Sequence, residues 1–403
     1  MDTQAQKKHK EDPADTAARE WLELQMSTKK GRHYDTLLLC LLAAFILCIG
    51  ILIFVLPKES FSEDENRMLA DLPKFSVSSL VDGSFTAGVA DFYADRLPAR
   101  RFFVRLKTAS ELAMLRGESS GIIFGSEGYL VDRLEYGETE YENIRENFEA
   151  IEEFRRVTGI EVTTAVLPRG IDVVSEKLFP TFGFARANAV WDKLPDDAIT
   201  FNELLKGKAD LGEYVWYKTD HHYTTLGAYY VYCSLGETLG YTPYPLEYFE
   251  LQTAADDFLG TTYSAAGIPA QAYDTITLFR YDGDDSYTVS FGKSSLNGFY
   301  DESYLSKKDK YSVFLGGNHS LTSVTLDGVE RPKLLVIKDS FSHALAPFLA
   351  LHFDLEMVDL RYYNSSVKKL CGENGIDKVL IYCGIDSLVG APDMSKLAMG
   401  LYS

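Results

Sequence analysis

Apolar residues are spread unevenly along this chain. They open with one unbroken run, Thr36–Leu56 (TLLLCLLAAFILCIGILIFVL), which carries no charge. It has the length needed to cross a bilayer as a helix. Lys29, Lys30, Arg32 and His33 precede it, and Pro57, Lys58, Glu59, Glu63, Asp64 and Glu65 follow. This contrast predicts a cytoplasmic N-terminus and an extracellular remainder at the cell membrane. A cleaved signal peptide is the rival reading, with a shorter apolar core and a small-residue cleavage site. This run instead ends Phe54-Val55-Leu56-Pro57, which favours an uncleaved single-pass anchor over residues 36–56. Residues 1–35 then read as a polar cytoplasmic tail.

After the anchor the apolar period turns helical. Phe85, Val89, Phe92 and Tyr93, then Phe102, Phe103, Leu106, Leu112 and Leu115, predict a helical neck over 57–116. The remainder, 117–403, alternates strands and helices. Ile122–Phe124 and Tyr129–Val131 flank a turn and predict a hairpin. Tyr141–Val157 carries Ile144, Phe148, Ile151 and Phe154 on one helical face. Glu161–Leu167 reads as a buried strand, Phe201–Leu205 as a helix, Tyr214–Tyr217 as a short strand and Thr224–Leu239 as an apolar helix. Leu334–Ile337, Leu355–Val358 and Lys378–Tyr382 are further strands, with a helix from Ser342 to about Leu351. Ile276–Tyr281 and Tyr287–Phe291 suggest an added hairpin. Such alternation implies an α/β domain with a largely parallel sheet and helices on both faces.

Composition narrows the function. The formal net charge is −19, which argues against nucleic acid as a partner, since phosphate needs a basic stripe. Cys40 and Cys48 fall in the anchor, leaving Cys233, Cys371 and Cys383, an odd set without paired spacing. A disulfide scaffold is rejected on that ground. No Cys/His cluster has metal-ligand spacing, and no phosphate or dinucleotide glycine fingerprint occurs, so neither a metal nor a cofactor is expected.

Two segments carry candidate chemistry. In Trp216–Thr225 (WYKTDHHYTT), Asp220 and His222 are two apart. On extended backbone they would share a side, so the carboxylate could orient the imidazole, while His221 would point away. The plainer alternative is a histidine pair satisfied by backbone. In the second segment an apolar strand, Leu334–Ile337, ends in Lys338-Asp339-Ser340 before a helix. The C-terminal edge of a parallel sheet is where such folds keep their sites. A serine there needs a base, and the base needs an orienter, which His222 and Asp220 supply. His343, three after Ser340, reads as a surface or cap residue, and Asp339 as a turn-stabilising residue. Arg169 follows the first buried strand, where it would reach a polymer carboxylate or phosphate, against the plainer reading of a surface charge.

Together KTDHHYTTLGA and VIKDSFSHALAPFL closely resemble the DHHW family of bacterial proteins, itself similar to the SGNH-like proteins that O-acetylate alginate. The resemblance extends to SEDENRMLADLP, DFYADRLPAR, FLGTTY at 258–263 and FLGGN at 314–318. It implies an SGNH-hydrolase-like α/β domain and a catalytic set of Ser340, His222 and Asp220. It also implies a membrane-anchored extracellular O-acetyltransferase or acetylesterase acting on a polysaccharide, paired with a multi-spanning membrane acyltransferase. Tyr223 stands where the family name expects tryptophan, and Lys338 where SGNH enzymes have glycine. Gly317 and Asn318 are the candidate oxyanion donors, with Tyr223 and Arg169 as further substrate-side candidates. The alternative is an inactive SGNH-like protein that binds polysaccharide or scaffolds an export complex.

Overall fold

The structure, a computed structural model, describes residues 19, 21, 29–56, 61–62, 67–178, 189–376 and 378–402. Most of the expected tail, and the flank Pro57–Glu59 with Glu63, Asp64 and Glu65, lie outside the described residues. The chain divides by packing into two units, Met1–Phe61 with Met68–Phe102, and Ser62–Arg67 with Phe103–Ser403.

In the first unit, helix α1 (Lys29–Val55) takes in the apolar run as far as Val55 and is long and apolar enough to cross a membrane. Helices α2 (Val77–Val81) and α3 (Ser84–Asp95) follow. Ser76 caps α2, its Oγ accepting from the Ser79 amide while the Ser79 hydroxyl accepts from the Ser76 amide. Helix α4 (Arg100–Ala113) runs across the division into the second unit. There Thr108 is fully buried, 3.1 Å from Ser119 Oγ and 3.3 Å from the Ala266 carbonyl.

The second unit begins with the hairpin β1 (Ile122–Phe124) and β2 (Leu130–Asp132). Helix α5 (Glu138–Thr158) buries Ile144, Phe148, Ile151 and Phe154, and ends at Gly159 in the left-handed conformation. Glycine suits that C-terminal position because it lacks a Cβ. Strand β3 (Glu161–Leu167) stops before Pro168, followed by α6 (Asn202–Asp210) and α7 (Thr225–Leu239). Thr224 caps α7, accepting from the Gly227 amide.

Two expectations fail next. Tyr214–Tyr217 forms no strand. The segment meets residues 222–224 at one bridge, Trp216 to Tyr223, with the Tyr217 amide donating to the His222 carbonyl and the Thr224 amide to the Val215 carbonyl, and the chain bends over 218–222 before the pairing can extend into a strand. The hairpin of Ile276–Tyr281 with Tyr287–Phe291 is also absent. Strand β4 (Glu250–Phe258), missed in the sequence, pairs with β5 (Asp274–Arg280) as a separate ribbon. The mostly exposed β4 has no buried apolar face to announce it. Strand β6 (Tyr287–Phe291) instead pairs with β7 (Ser294–Asn297) and β8 (Leu321–Leu326).

The remaining elements are β9 (Lys333–Lys338), α8 (Ser342–Leu349), β10 (Asp354–Val358), α9 (Val367–Asn374), β11 (Lys378–Gly384) and α10 (Ile385–Gly390). The eight-stranded sheet runs β7-β6-β8-β10-β9-β11-β3, ending on Ile199–Thr200. From β10 to that edge every pairing is parallel, and from β10 outward to β7 every pairing is antiparallel. Strand β9 lies inside the parallel part with both faces covered. Leu334 and Val336 enter one core with Tyr223, Phe341 and Phe348, while Leu335 and Ile337 enter the other with Ile144, Phe148 and Ile151. A strand buried on both faces needs an apolar run, which LLVI supplies. Its C-terminal end places Asp339 and Ser340 at the rim of the parallel strands.

Candidate active site

Ser340 follows β9 in the turn into α8 and is partly exposed. Asp339 builds that turn. Its Oδ1 accepts from the Phe341 amide at 3.0 Å, and its Oδ2 accepts from the Gly384 amide and Ser387 Oγ, both at 2.7 Å. The turn is thereby tied to the end of β11. The Ser340 amide makes no hydrogen bond among the described residues.

His222 Nε2 lies 2.7 Å from Ser340 Oγ, and His222 Nδ1 lies 2.5 Å from Asp220 Oδ1. The backbone route to this arrangement differs from the extended one expected. The segment bends at Asp220, and Asp220 Oδ1 also accepts from the His222 amide at 3.1 Å. An Asx turn brings the two side chains together. His221 does not point away either. Its ring lies against that of His222, with centroids 3.9 Å apart.

Asp220 is buried, and its other oxygen accepts from the Thr261 amide at 2.8 Å and Thr261 Oγ1 at 3.1 Å. Burial alone would raise its pKa. The adjacent His222 and His221, with the bonds from His222 and the Thr261 amide, outweigh burial and hold the carboxyl below its ordinary range. Gly260 makes this approach possible, because a Cβ there would lie 2.2 Å from Asp220 Cβ. From the other side, fully buried Asp274 accepts from the Lys218 and Thr219 amides at 2.7 and 2.8 Å and from the Tyr214 hydroxyl. The turn that follows β4 and the first residue of β5 therefore hold the Asp220 bend at two points. FLGTTY supplies one of them, and nothing in the sequence signalled Asp274.

Tyr311 is another residue that the sequence did not indicate. Its ring stacks on His222 at 4.0 Å and an interplanar angle of 10°, and its hydroxyl donates to the Ser340 carbonyl at 3.2 Å. Burial of the ring face packed on His222, then the charge of His222, lower the pKa of His221 against the pull of Asp220, Asp132 and Asp386, although the outer part of the ring is open to solvent. Asp220, His221 and His222 offer ligand atoms within 4.8 Å of one another, the arrangement a metal would need. Asp220 and both Nδ1 atoms already serve hydrogen bonds, so an ion bound through them would displace the Asp220–His222 contact.

The other sequence candidates are placed differently. Tyr223 is fully buried, its hydroxyl donating to the Phe341 carbonyl at 2.5 Å and lying 2.9 Å from Tyr382 Oη. It supports the turn from behind and cannot touch a substrate. Arg169 is also buried rather than a surface charge. It forms a two-pronged pair with Asp172 and lies over the rings of Tyr136 and Trp191. Gly317 and Asn318 occupy the loop that precedes β8. The Gly317 amide donates to the Phe314 carbonyl at 3.2 Å, and Asn318 is exposed with no hydrogen bond among the described residues. His319 stacks on Phe291 at 3.9 Å.

His343, expected at the surface, is buried because Lys338 needs a partner. Lys338 Nζ donates to His343 Nε2 at 2.7 Å and lies 3.8 Å from Asp359 Oδ2. Burial drives the Lys338 pKa down to about 8, against the pull of Asp359. Burial, then Lys338, hold His343 well below the usual histidine range.

The family read from the sequence is borne out: the DHHW protein family matches residues 198–358, a span that contains Asp220, His222 and Ser340. No curated protein is similar enough to match. Among solved structures, a DHHW family protein from Eubacterium siraeum is similar at 22% identity and TM-score 0.55, over 70% of this chain and 96% of that one. Bacillus cereus PatB1 with a sulfonyl adduct is similar at 20% identity and TM-score 0.55, over 68% of this chain and 97% of that one. The O-acetyltransferase domain of Pseudomonas putida AlgJ is a more distant likeness, at 13% identity and TM-score 0.43 over 67% of this chain and 92% of that one. The fold is the SGNH-like α/β fold expected from the sequence.

Proposed function

We propose that this protein is a membrane-anchored serine acyltransferase or esterase that adds or removes O-acetyl groups on an extracellular polysaccharide. The observation that carries the reading is the chain Asp220–His222–Ser340, with distances of 2.5 and 2.7 Å, at the rim of the parallel strands. With Nδ1–H donated to Asp220, the His222 Nε2 lone pair faces the Ser340 hydroxyl. Ser340 Oγ attacks the acyl carbonyl, and its proton passes to His222 Nε2. The Ser340 amide is free to donate to the oxyanion that forms. The leaving alcohol departs with the proton from His222 and leaves acetyl-Ser340. A sugar hydroxyl then resolves the ester by transfer, or water by hydrolysis.

The sulfonyl adduct described for PatB1 is the product expected of an activated nucleophile on this fold, which supports the enzymatic reading over the scaffold one. Lys338 does not interrupt the site, since its ammonium points to His343 beneath the turn. The polysaccharide substrate rests on the resemblance to alginate O-acetylation proteins. Residues 36–56 serve as the anchor, with the N-terminus cytoplasmic and 57–403 outside, as neck (57–116) and catalytic domain (117–403). A single helix has no path for moving acetyl across a bilayer, so a multi-spanning acyltransferase supplies it.

The test is to treat the full chain in detergent with an arylsulfonyl fluoride and map the modified peptide. Labelling at Ser340 that disappears in His222→Ala is expected. Equal labelling in Ser340→Ala, with both proteins folded, sinks the proposal.

A further inference from the structure

His221 has no part in the relay through His222, yet it is the more accessible of the pair. Its side chain is 42% exposed, against 5% for His222. Its Nδ1 lies 2.6 Å from Thr261 Oγ1, which in turn lies 3.1 Å from Asp220 Oδ2. A threonine hydroxyl has one proton to donate. Ionised Asp220 can only accept, so the Thr261 proton goes to it. Thr261 Oγ1 must then accept from His221, which fixes the proton of the neutral His221 ring on Nδ1. Its Nε2 is left as a bare lone pair on the exposed ring, without a hydrogen bond among the described residues. The two rings, tilted by 36° with centroids 3.9 Å apart, set this acceptor beside the imidazole that activates Ser340.

Resting on the acyl-transfer reading above, we propose that His221 Nε2 accepts a hydrogen bond from the hydroxyl next to the one being acylated, so that the site favours acceptors with two adjacent hydroxyls. In that step the attacking oxygen bonds to the acetyl carbon of acetyl-Ser340, and its proton passes to His222 Nε2. The bond from that carbon to Ser340 Oγ breaks, and Ser340 Oγ takes the proton from His222. The second hydroxyl is unchanged, held by His221 throughout. Thr261 acts through His221 and Asp220 as a positioning residue.

The experiment offers the full chain nitrophenyl acetate as donor, with ethylene glycol or its monomethyl ether as competing acceptors, and measures both product esters by mass spectrometry. One neutral hydrogen bond predicts about five- to ten-fold preference for the diol in the wild type. His221→Asn should bring the preference close to parity. His221→Gln should keep part of it, because its amide oxygen reaches toward the Nε2 position. Thr261→Val should weaken it and Thr261→Ser restore it, a pattern that mere loss of stability would not give. An acetylated Ser340 without diol preference in the wild type, or a preference that survives His221→Asn, overturns this inference alone. Absence of acetyl on Ser340 overturns it together with the proposed function.

Discussion

Gly260 and Asp220 are in such close contact that no side chain fits between them. A Cβ on Gly260 would lie 2.2 Å from Asp220 Cβ and 2.3 Å from its Oδ2. That contact lets the Thr261 amide reach the same carboxylate at 2.8 Å. Gly260 has φ −83°, so the requirement is for space rather than for an unusual backbone angle. Gly260→Ala should therefore displace Asp220 from His222 without undoing the fold. A displacement near 1 Å at a catalytic group costs on the order of a hundred-fold in rate. The initial rate of nitrophenyl acetate hydrolysis, with circular dichroism to confirm folding, checks this. A rate within a few-fold of wild type would mean that the bend gives way elsewhere.

Ser340, His222 and Asp220 should lose activity as one unit. Ser340→Ala and His222→Ala should each abolish most ester hydrolysis, and the double variant should be scarcely worse than either. Asp220→Asn should leave His222 in place but disturb its tautomer, a loss on the order of ten-thousand-fold in a well-formed site of this type. Additive losses in the double variant would show that the two side chains do not serve the same step.

Tyr223 tests the exchange at the position where the family name expects tryptophan. Its hydroxyl meets the Phe341 carbonyl at 2.5 Å and Tyr382 Oη at 2.9 Å, both in full burial. Tyr223→Phe leaves the carbonyl and Tyr382 to share fewer partners, which should cost about 1–3 kcal/mol in stability. The hydrolysis rate well below the melting temperature should change little, because no Tyr223 atom faces Ser340. Denaturant midpoints, set against that rate, separate the two effects.

Much of this is legible in the sequence. Helix α1 and the buried strands β3, β9 and β11 are marked by their apolar runs, since burial on two faces favours apolar residues, and the inner face of α5 is marked by its helical period. The juxtaposition of Asp220 and His222 was legible from spacing, although an Asx turn rather than extended backbone achieves it. What the sequence hid were contacts made by polar groups across long separations. Asp274 holds the bend from 55 residues away, and Tyr311 stacks on His222 with no periodic signal to mark it. Arg169 misled for the same reason. A charged residue after a strand reads as available, and its commitment to Asp172 beneath two aromatic rings depends on packing that only the fold creates.

Lys338 allows a prediction that depends on pH rather than on catalysis. Burial lowers its pKa to about 8, with Asp359 opposing the shift. In the unfolded chain a lysine titrates near about 10.4. Between these values the unfolded state holds one more proton than the native state, so this residue makes stability rise with pH across that window. Below pH 8 both states are charged, and the native state bears the full cost of a buried ammonium. Lys338→Met removes that cost, and Asp359 keeps Arg361 as a partner at 2.7 Å. The variant should thus equal or exceed the wild type in stability at pH 7. Its advantage should shrink by on the order of 1–3 kcal/mol by about pH 10. The raised tyrosines of the core titrate in both proteins alike and cancel in the difference. Urea midpoints of the two proteins at pH 7 and near pH 10 measure it. An advantage that stays constant, or grows, would show that burial does not lower the Lys338 pKa, and that its bond to His343 is made by a charged ammonium across the whole range.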